Sequence, residues 1–566
     1  MRYINNQIFL FTLCFVSYGI AQERKQSNDT LDTQTINVVK PYVPTVSDAF
    51  RIDKFPEINV SDYQSQQTID YHIFSVPVAS TFSPDKGNPQ KIKRIRLKTP
   101  PSNYLSLAAG NYFNVQANGF FGLDIDKTSN FYSALNHNSS SGGIKDVKLK
   151  DSYSDSNLSL GYDKTFKNGA WQTVADLVYA SYNWYGIDEE LWTITPNDLE
   201  VSHAYFGMGI LSEYIFKNGN FKKIDGLFKV YGDSHDSSET RLKTNAELQF
   251  IISDQVLDLG LDLDFLKGEF KSGFKNEFNN LLLGLNPSYF YETDFFQLRA
   301  GLKFNYLNEA YNKAKFLIAP NIKFTYEFVE GYLTSYAEVT GGVSLNSYEN
   351  ASDVNPYVAP NLILTPTSTP YDATLGLRGL FTESIGFGLS TSYVYEKNKL
   401  FFTANGVSTG LNTVYDYGNS FGLIYDDLKT WSVGGDVSFQ IGTEFNLNLK
   451  GGFSIFNTDS LNDALNLSPV NLSVISNYKM NDSWAFGASL FYTGVRKDNY
   501  QALTGLKIIE LDPFVDLNLK IDYKYNTNWN FYVNGLNLVA GSYQKWYNYP
   551  VQSLQILAGA KYQFDF

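Results

Sequence analysis

Alternating apolar and polar residues recur in runs from Asn103 to the end of the chain, and this pattern constrains the fold more than any other feature. The clearest runs are Leu257–Phe265 (LDLGLDLDF), Phe445–Lys450 (FNLNLK) and Val515–Tyr525 (VDLNLKIDYKY). Successive side chains of a β-strand point to opposite faces, so each run presents one apolar and one polar face. The pattern predicts many amphipathic strands. Soluble all-β proteins alternate in the same way, so the pattern alone does not place the apolar face in lipid.

Composition excludes several classes of protein. Tyrosine (41) and phenylalanine (43) are abundant, whereas cysteine (1) and methionine (3) are scarce, which favours strands with aromatic belts. No run reaches the roughly 20 apolar residues that a membrane-spanning helix needs. The net charge of -13 argues against a nucleic-acid binder, which neutralises phosphates with Lys and Arg.

The N-terminus has the organisation of a secretory signal peptide. A basic start with Arg2 leads into the apolar stretch Ile8–Val16 and then the small-residue end Gly19–Ala21. We predict cleavage after Ala21, which removes Cys14 and leaves a mature chain without cysteine. A lipoprotein signal fits poorly, because Thr12-Leu13 precedes that cysteine.

The C-terminus supports a membrane location. In Ala558–Phe566 (AGAKYQFDF) an aromatic residue ends the chain, and apolar or aromatic residues occupy every second position before it. Tyr562, Phe564 and Phe566 therefore share one strand face. This arrangement resembles the signal that outer-membrane barrel-assembly machinery recognises, and we expect these three side chains to act as that signal. Together with the leader, it favours an outer-membrane protein over a soluble sandwich.

These features predict an all-β fold, a transmembrane antiparallel β-barrel of about 20 to 22 strands with a short periplasmic N-terminal segment. The barrel must close, because an open edge would leave backbone amides unpaired in hydrocarbon. A single-chain bacterial barrel should have an even number of strands. Counts made inward from the two ends disagree in parity between Glu396 and Thr430, so one strand there is missed or invented.

We predict three regions: a signal peptide at 1–21, a periplasmic segment at 22–102 and the barrel at 103–566. The middle segment is polar and rich in proline, which predicts an extended segment that is a partial plug or a tether.

Identical Phe-Lys-Asn-Gly sequences at 166–169 and 216–219 predict tight turns, because Asn-Gly accommodates the positive φ angles of short hairpins. We expect these on the periplasmic side, and long outward loops at 137–154, 184–200, 346–369 and 396–412.

The last hairpin carries a family resemblance. Asn534–Leu538 (NGLNL), Tyr543 and Lys545–Pro550 (KWYNYP) precede the terminal strand in an order that resembles the C-terminal hairpin of TonB-dependent outer-membrane receptors. Asn103–Tyr112 and Ser139–Asp146 (SSSGGIKD) resemble a TonB-dependent-receptor-like group of Bacteroidota. The resemblance covers the barrel and implies transport across the outer membrane. Such receptors carry a plug of well over a hundred residues, for which 22–102 is too short.

A TonB box is, by the same resemblance, a short extended segment near the mature N-terminus. Thr35, Ile36, Val38 and Val39 form a β-branched stretch in a suitable place, and an extended peptide can add to the edge of a partner's sheet. Three interpretations remain open: contact with TonB, a non-functional remnant or plain strand, and docking to another periplasmic protein.

We therefore expect solute transport or a channel across the outer membrane, with the lumen obstructed by the N-terminal segment or by inward loops. The alternative is a structural or assembly subunit tethered through 22–102. The expected partners are outer-membrane lipid, the barrel-assembly machinery, and TonB or another periplasmic protein. We expect no enzyme, no cofactor and no metal site, because the four histidines are scattered and no catalytic motif is present. Asp258, Asp262 and Asp264 are expected to line the lumen.

Overall fold

A computed structural model describes residues 103–565 except 194, 254, 274, 409–410, 412 and 503–504. The predicted signal peptide, the segment 22–102 and Phe566 lie outside the described residues. Nearly all of the described chain is strand, turn or loop. Among the described residues, the one α-helix, α1, spans Tyr348–Val354, and a single 3₁₀ turn spans Glu189–Leu191.

The described strands, in chain order, are β1 Asn103–Gly110, β2 Val115–Asp126, β3 Ser129–Ser140, β4 Tyr153–Phe166, β5 Gly169–Asn183, β6 Ser202–Phe216, β7 Phe221–Asp233, β8 Ser238–Ile252, β9 Gln255–Phe270, β10 Asn276–Glu292, β11 Phe296–Asn308, β12 Lys315–Val329, β13 Leu333–Ser344, β14 Thr367–Thr382, β15 Ile385–Ala404, β16 Phe421–Ile441, β17 Phe445–Thr458, β18 Val470–Lys479, β19 Trp484–Thr493, β20 Arg496–Ala502, β21 Gly505–Leu511, β22 Phe514–Lys524, β23 Trp529–Leu536, β24 Gln544–Trp546, β25 Tyr549–Pro550 and β26 Gln555–Phe564.

The wall is a closed antiparallel barrel of 22 strands, which confirms the predicted fold class and strand number. Each wall strand pairs with its neighbour along the chain, β19 pairs with β22, and β23 pairs with β26. The ring closes where β1 pairs with β26 from Asn103↔Phe564 to Gly110↔Leu557. The β20–β21 hairpin is not part of this ring, since its one strand pairing with the wall, among the described residues, is a parallel bridge between Tyr500 and Ala404.

Along the chain, the connections between wall strands lie alternately at the two ends of the barrel. Each connection has two to four residues at one end, which we call the turn end, and four to 22 at the other, which we call the loop end. Both Phe-Lys-Asn-Gly sequences form tight turns, between β4 and β5 and between β6 and β7, as predicted. The predicted positive φ angle is found only in the second turn, where Gly219 has φ 90°. Gly169 instead begins β5, where it pairs with Phe166 across a two-residue turn. The first residue of β1, Asn103, and the last residue of β26, Phe564, also lie at the turn end.

The predicted loops at 137–154, 184–200 and 346–369 correspond to loops at 141–152, 184–201 and 345–366. The predicted loop at 396–412 is wrong in its bounds, because β15 continues to Ala404 and the loop is 405–420. The stretch from Glu396 to Thr430 therefore holds the end of β15, one loop and the start of β16. The structure thereby resolves the parity that the sequence left open in this stretch. β15 and β16, at 20 and 21 residues, extend further at the loop end than their neighbours.

The outer face of the barrel is apolar and exposed. On β7, for example, Phe228 and Val230 are 49% and 41% exposed, while the alternate residues point inward. Side chains of this kind surround the barrel, which is the surface that a bilayer requires. No helix in the described part of the chain is long and apolar enough to cross a membrane.

Candidate functional site: the cap and the lumen beneath it

Loops at the loop end fold inward and pack together across the mouth of the barrel. We call this assembly the cap. It comprises the described residues of 141–152, 184–201, 345–366, 405–420, 494–513 and 537–554. Large side chains from these loops form one buried cluster with inward-facing side chains of the upper wall. Connecting segments normally run over a protein surface, so a buried assembly of loops indicates a specific role.

The cap spans the full width of the mouth. The loop after β5 and the loop before β16 start about half a circuit apart in the ring of strands. They nevertheless meet, because the Asn419 Nδ2 amide donates to the Trp184 carbonyl oxygen at 2.9 Å. The Trp184 and Tyr415 rings lie 5.4 Å apart. Loops from opposite walls are therefore in direct contact.

Three tyrosines pack at the centre of the cap, and each comes from a different loop. The Tyr357 and Tyr549 rings stack with centroids 3.8 Å apart, and the Tyr185 ring lies 4.8 Å from Tyr549. The Tyr549 hydroxyl donates to the Asn419 carbonyl at 2.6 Å, and the Tyr185 hydroxyl donates to the Pro550 carbonyl at 2.9 Å. Burial raises the pKa of all three phenols, so they remain neutral donors.

Backbone hydrogen bonds also hold the cap together. Val358 and Phe421 form a parallel bridge between the 345–366 loop and the start of β16. The Ala359 amide donates to the Phe421 carbonyl at 2.8 Å, and the Phe421 amide donates to the Tyr357 carbonyl at 3.0 Å. The Trp184 indole Nε1 donates to the same Tyr357 carbonyl at 3.1 Å. Polar backbone groups that would be costly to bury are thereby satisfied.

Helix α1 is attached to the inner wall through its first residues. The Ser347 side chain accepts from the Asn350 amide and caps the helix N-terminus. The Tyr348 amide donates to the Glu239 carboxylate of β8 at 2.6 Å, and the Tyr348 hydroxyl donates to the Asp233 carboxylate of β7. Lys229 of β7 forms an ion pair with Glu349. Two adjacent strands therefore hold one face of α1.

A histidine cluster lies beside this attachment. His203 Nε2 is 2.9 Å from the Asp233 carboxylate, and its ring lies 4.3 Å from Trp184 and 5.1 Å from His235. Sequence reasoning missed this cluster, since His203 and His235 lie 32 positions apart. His203 lies at the start of β6 and His235 follows the end of β7, and antiparallel pairing brings these two strand ends together.

The β20–β21 hairpin packs a buried arginine and a buried aspartate into the cap. The Arg496 guanidinium donates to the carbonyls of Lys545 and Gln544, and burial lowers its pKa to about 10. The Asp498 carboxylate accepts from the Ala404 amide at 3.3 Å and the Asn499 amide at 2.7 Å. Burial raises the pKa of Asp498 to about 6.

Beneath the cap the inner wall becomes polar. On β9 the side chains Asp258, Asp262 and Asp264 share the inward face with Leu266 and Phe270, which lie nearer the loop end and join the buried cluster of the cap. The three aspartates therefore line the lumen, as predicted. Arg241 pairs with Asp264 through bonds of 2.9 and 2.6 Å. Arg299 lies 3.3 Å from Asp258, so charges of both signs line this wall.

The predicted site residues are only partly described. Thr35, Ile36, Val38 and Val39 lie outside the described residues, as does Phe566. Tyr562 and Phe564 lie on the outer face of β26, where their rings are 5.7 Å apart and Tyr562 lies 4.8 Å from Trp529. Their role as an assembly signal stays a prediction. Over the described residues, no group of three or more His, Cys, Asp or Glu side chains is arranged to hold a metal.

Comparison with known proteins places the fold. No protein-family model matches the chain, and no curated protein matches it. The solved structures it resembles include the ferripyoverdine receptor of the outer membrane of Pseudomonas aeruginosa (13% identity, 82% of this chain, 71% of that chain, TM-score 0.59). They also include the ferric-catecholate import receptor Fiu from E. coli K12 (10%, 82%, 82%, 0.58) and the FrpB iron transporter from Neisseria meningitidis (12%, 83%, 82%, 0.61).

The chain therefore has the fold of outer-membrane receptor barrels, and the resemblance to TonB-dependent receptors is confirmed at the level of fold. At this level of sequence identity, the similarity shows a shared fold and gives no information about the ligand. The cap, in which loops from opposite walls meet, lies above a charged lumen.

Proposed function

We propose that this protein transports a solute across the outer membrane through a barrel whose outer mouth is closed by the cap. The observation that carries the proposal is the contact between loops of opposite walls above a polar lumen. A barrel of this size is wide enough for an aqueous channel or a plugged lumen, and the cap blocks free passage. The prediction that inward loops obstruct the lumen is supported by their packing.

Conductance in planar bilayers tests this proposal. The intact chain should show no steady conductance. Three variants separate the two predicted obstructions: one replaces 347–364 with a Gly-Ser linker, one deletes 23–100, and one combines both changes. The combined variant should conduct steadily. If it is folded, as judged by heat-modifiable migration on gels, and still does not conduct, the transport proposal is wrong.

We propose further that the loop end faces outward and that the N-terminal segment is periplasmic. The support is the general rule that bacterial barrels have short periplasmic turns and long outer loops. The only cysteine lies in the predicted leader, so single cysteines can report orientation. In whole cells a membrane-impermeant maleimide should label Lys145→Cys at the loop end and not Lys167→Cys at the turn end. The reverse result would contradict this orientation.

For the N-terminal segment we propose that Thr35–Val39 adds as a strand to a periplasmic partner, with TonB as one candidate. The support is the β-branched sequence alone. Proline lacks the amide that strand addition requires, so Ile36→Pro and Val38→Pro should abolish partner capture. Ile36→Val and Val38→Ile serve as controls and should retain it. Equal capture by both pairs would exclude strand addition. No observation on the described residues favours the alternative of a structural subunit.

A further inference from the structure

The lipid-facing wall contains a groove close to the turn end. It has a volume of about 430 Å³ and is lined by residues of β4 to β8, among them Trp171, Tyr214, Ile224 and Gly226. Elsewhere on this wall, large side chains such as Ile210 and Phe228 project outward and are 39% and 49% exposed. The groove therefore interrupts this apolar surface.

Small residues on three adjacent strands create the groove. Gly226 of β7 has no side chain, and it pairs with Ser212 of β6 on one side and Thr244 of β8 on the other. Trp171 forms one wall, and its indole Nε1 donates to the Ser212 hydroxyl at 2.8 Å, which fixes the ring. A Cβ at Gly226 would meet nothing closer than the Lys243 carbonyl at 3.9 Å. The groove is thus a preformed space with aromatic walls.

The groove ends beside two adjoining turns that carry unpaired lysines. The Lys217 backbone amide donates to the Asn168 carbonyl at 2.9 Å, so the β4–β5 and β6–β7 turns touch. Lys167 and Lys217, one in each turn, are exposed and form no ion pair with any described residue. The positive charge of these turns is therefore available to a ligand.

This positive charge is local. From the β10–β11 turn to the β18–β19 turn, the connections at this end carry acidic residues instead, namely Asp294, Glu330, Glu383, Glu444 and Asp482. A positively charged patch therefore lies at the turn end next to an apolar groove. These two features match the two parts of an anionic lipid, its charged headgroup and its apolar acyl chain. Lysines near a bilayer surface attract anionic headgroups by about 1 kcal/mol each.

We propose that this groove is a binding site for a glycerophospholipid with an anionic headgroup. An acyl chain occupies the space over Gly226, beside Trp171 and Tyr214. The headgroup phosphate lies at the turn end, between the ammonium groups of Lys167 and Lys217. Aromatic rings at this level suit the boundary between acyl chains and headgroups.

Native mass spectrometry of the full chain in detergent tests the site, with phosphatidylglycerol and phosphatidylcholine as the probes. The intact protein should retain phosphatidylglycerol in preference to phosphatidylcholine. The double variant K167Q/K217Q should lower phosphatidylglycerol retention by roughly 30-fold. The control K145Q/K313Q removes the same charge at the loop end and should have no effect. Gly226→Phe fills the groove and should lower retention of both lipids, whereas Val230→Phe, on the same face of β7, should not.

Folding of each variant is checked by heat-modifiable migration and thermal unfolding, so loss of binding is not confused with loss of fold. Equal retention of the two lipids by the intact protein would overturn the proposal. It is also overturned if folded K167Q/K217Q retains phosphatidylglycerol as well as the intact chain. Loss with Gly226→Phe but not with the lysine variant would show an acyl-chain groove without headgroup selection, which contradicts the anionic site.

Discussion

Replacing Trp184 with alanine should open the cap and leave the barrel wall intact. The side chain is fully buried, with 0% exposure, and its indole Nε1 donates to the Tyr357 carbonyl. Truncation of a buried Trp costs about 3 to 5 kcal/mol. The Tyr357 carbonyl keeps its bond from the Phe421 amide, so its loss of the indole donor adds little. The wall is unaffected, because its strand pairing does not depend on this contact. The loss of stability is therefore confined to the cap.

Hydrogen exchange measured by mass spectrometry is the appropriate assay, since a local loss of about 4 kcal/mol raises exchange by roughly 1,000-fold. The increase should appear in peptides from 345–366 and 405–420 and be absent from wall strands. Trp431→Ala is the matched control, because Trp431 lies on the outer face of β16 and is 43% exposed. If Trp184→Ala raises exchange in the cap by less than about tenfold, or if the control raises it equally, the inferred packing is wrong.

Further predictions follow from the same contacts. The raised pKa of Asp498 stabilises its protonated form, so the stability it lends is complete below about pH 4 and lost as pH rises through about 6. Peptides of the β20–β21 hairpin should exchange faster at pH 8 than at pH 5 after correction for intrinsic rates, and Asp498→Asn should abolish that difference. Arg241→Leu strands a buried Asp264 carboxylate and should lower stability by about 3 kcal/mol in urea unfolding, while the double variant with Asp264→Leu should recover most of it. Gly186→Ala places a methyl group against the Tyr549 ring and should raise exchange in the cap, whereas Gly541→Ala, which meets nothing, should not.

The sequence by itself determined the wall. The runs at 257–265 and 515–525 predict strands with one apolar face and one polar face, and the structure places them in β9 and β22 accordingly. This succeeds because strand periodicity is local, so each run encodes its own two faces without reference to the rest of the chain. The tight turns succeeded for the same reason, since a few consecutive residues specify them.

Only the tertiary structure decided what happens at the loop end. The Trp184 carbonyl meets Asn419 across a separation of 235 residues, and Tyr185 meets Pro550 across 365. Loop sequences carry no periodicity that reports such partners. The sequence could predict long loops, and inward loops as one of two ways to obstruct the lumen, but not which loops meet. The histidine cluster and the groove over Gly226 likewise arise from neighbouring strands. They exist because antiparallel pairing fixes which residues of neighbouring strands lie side by side, and no single strand contains that information.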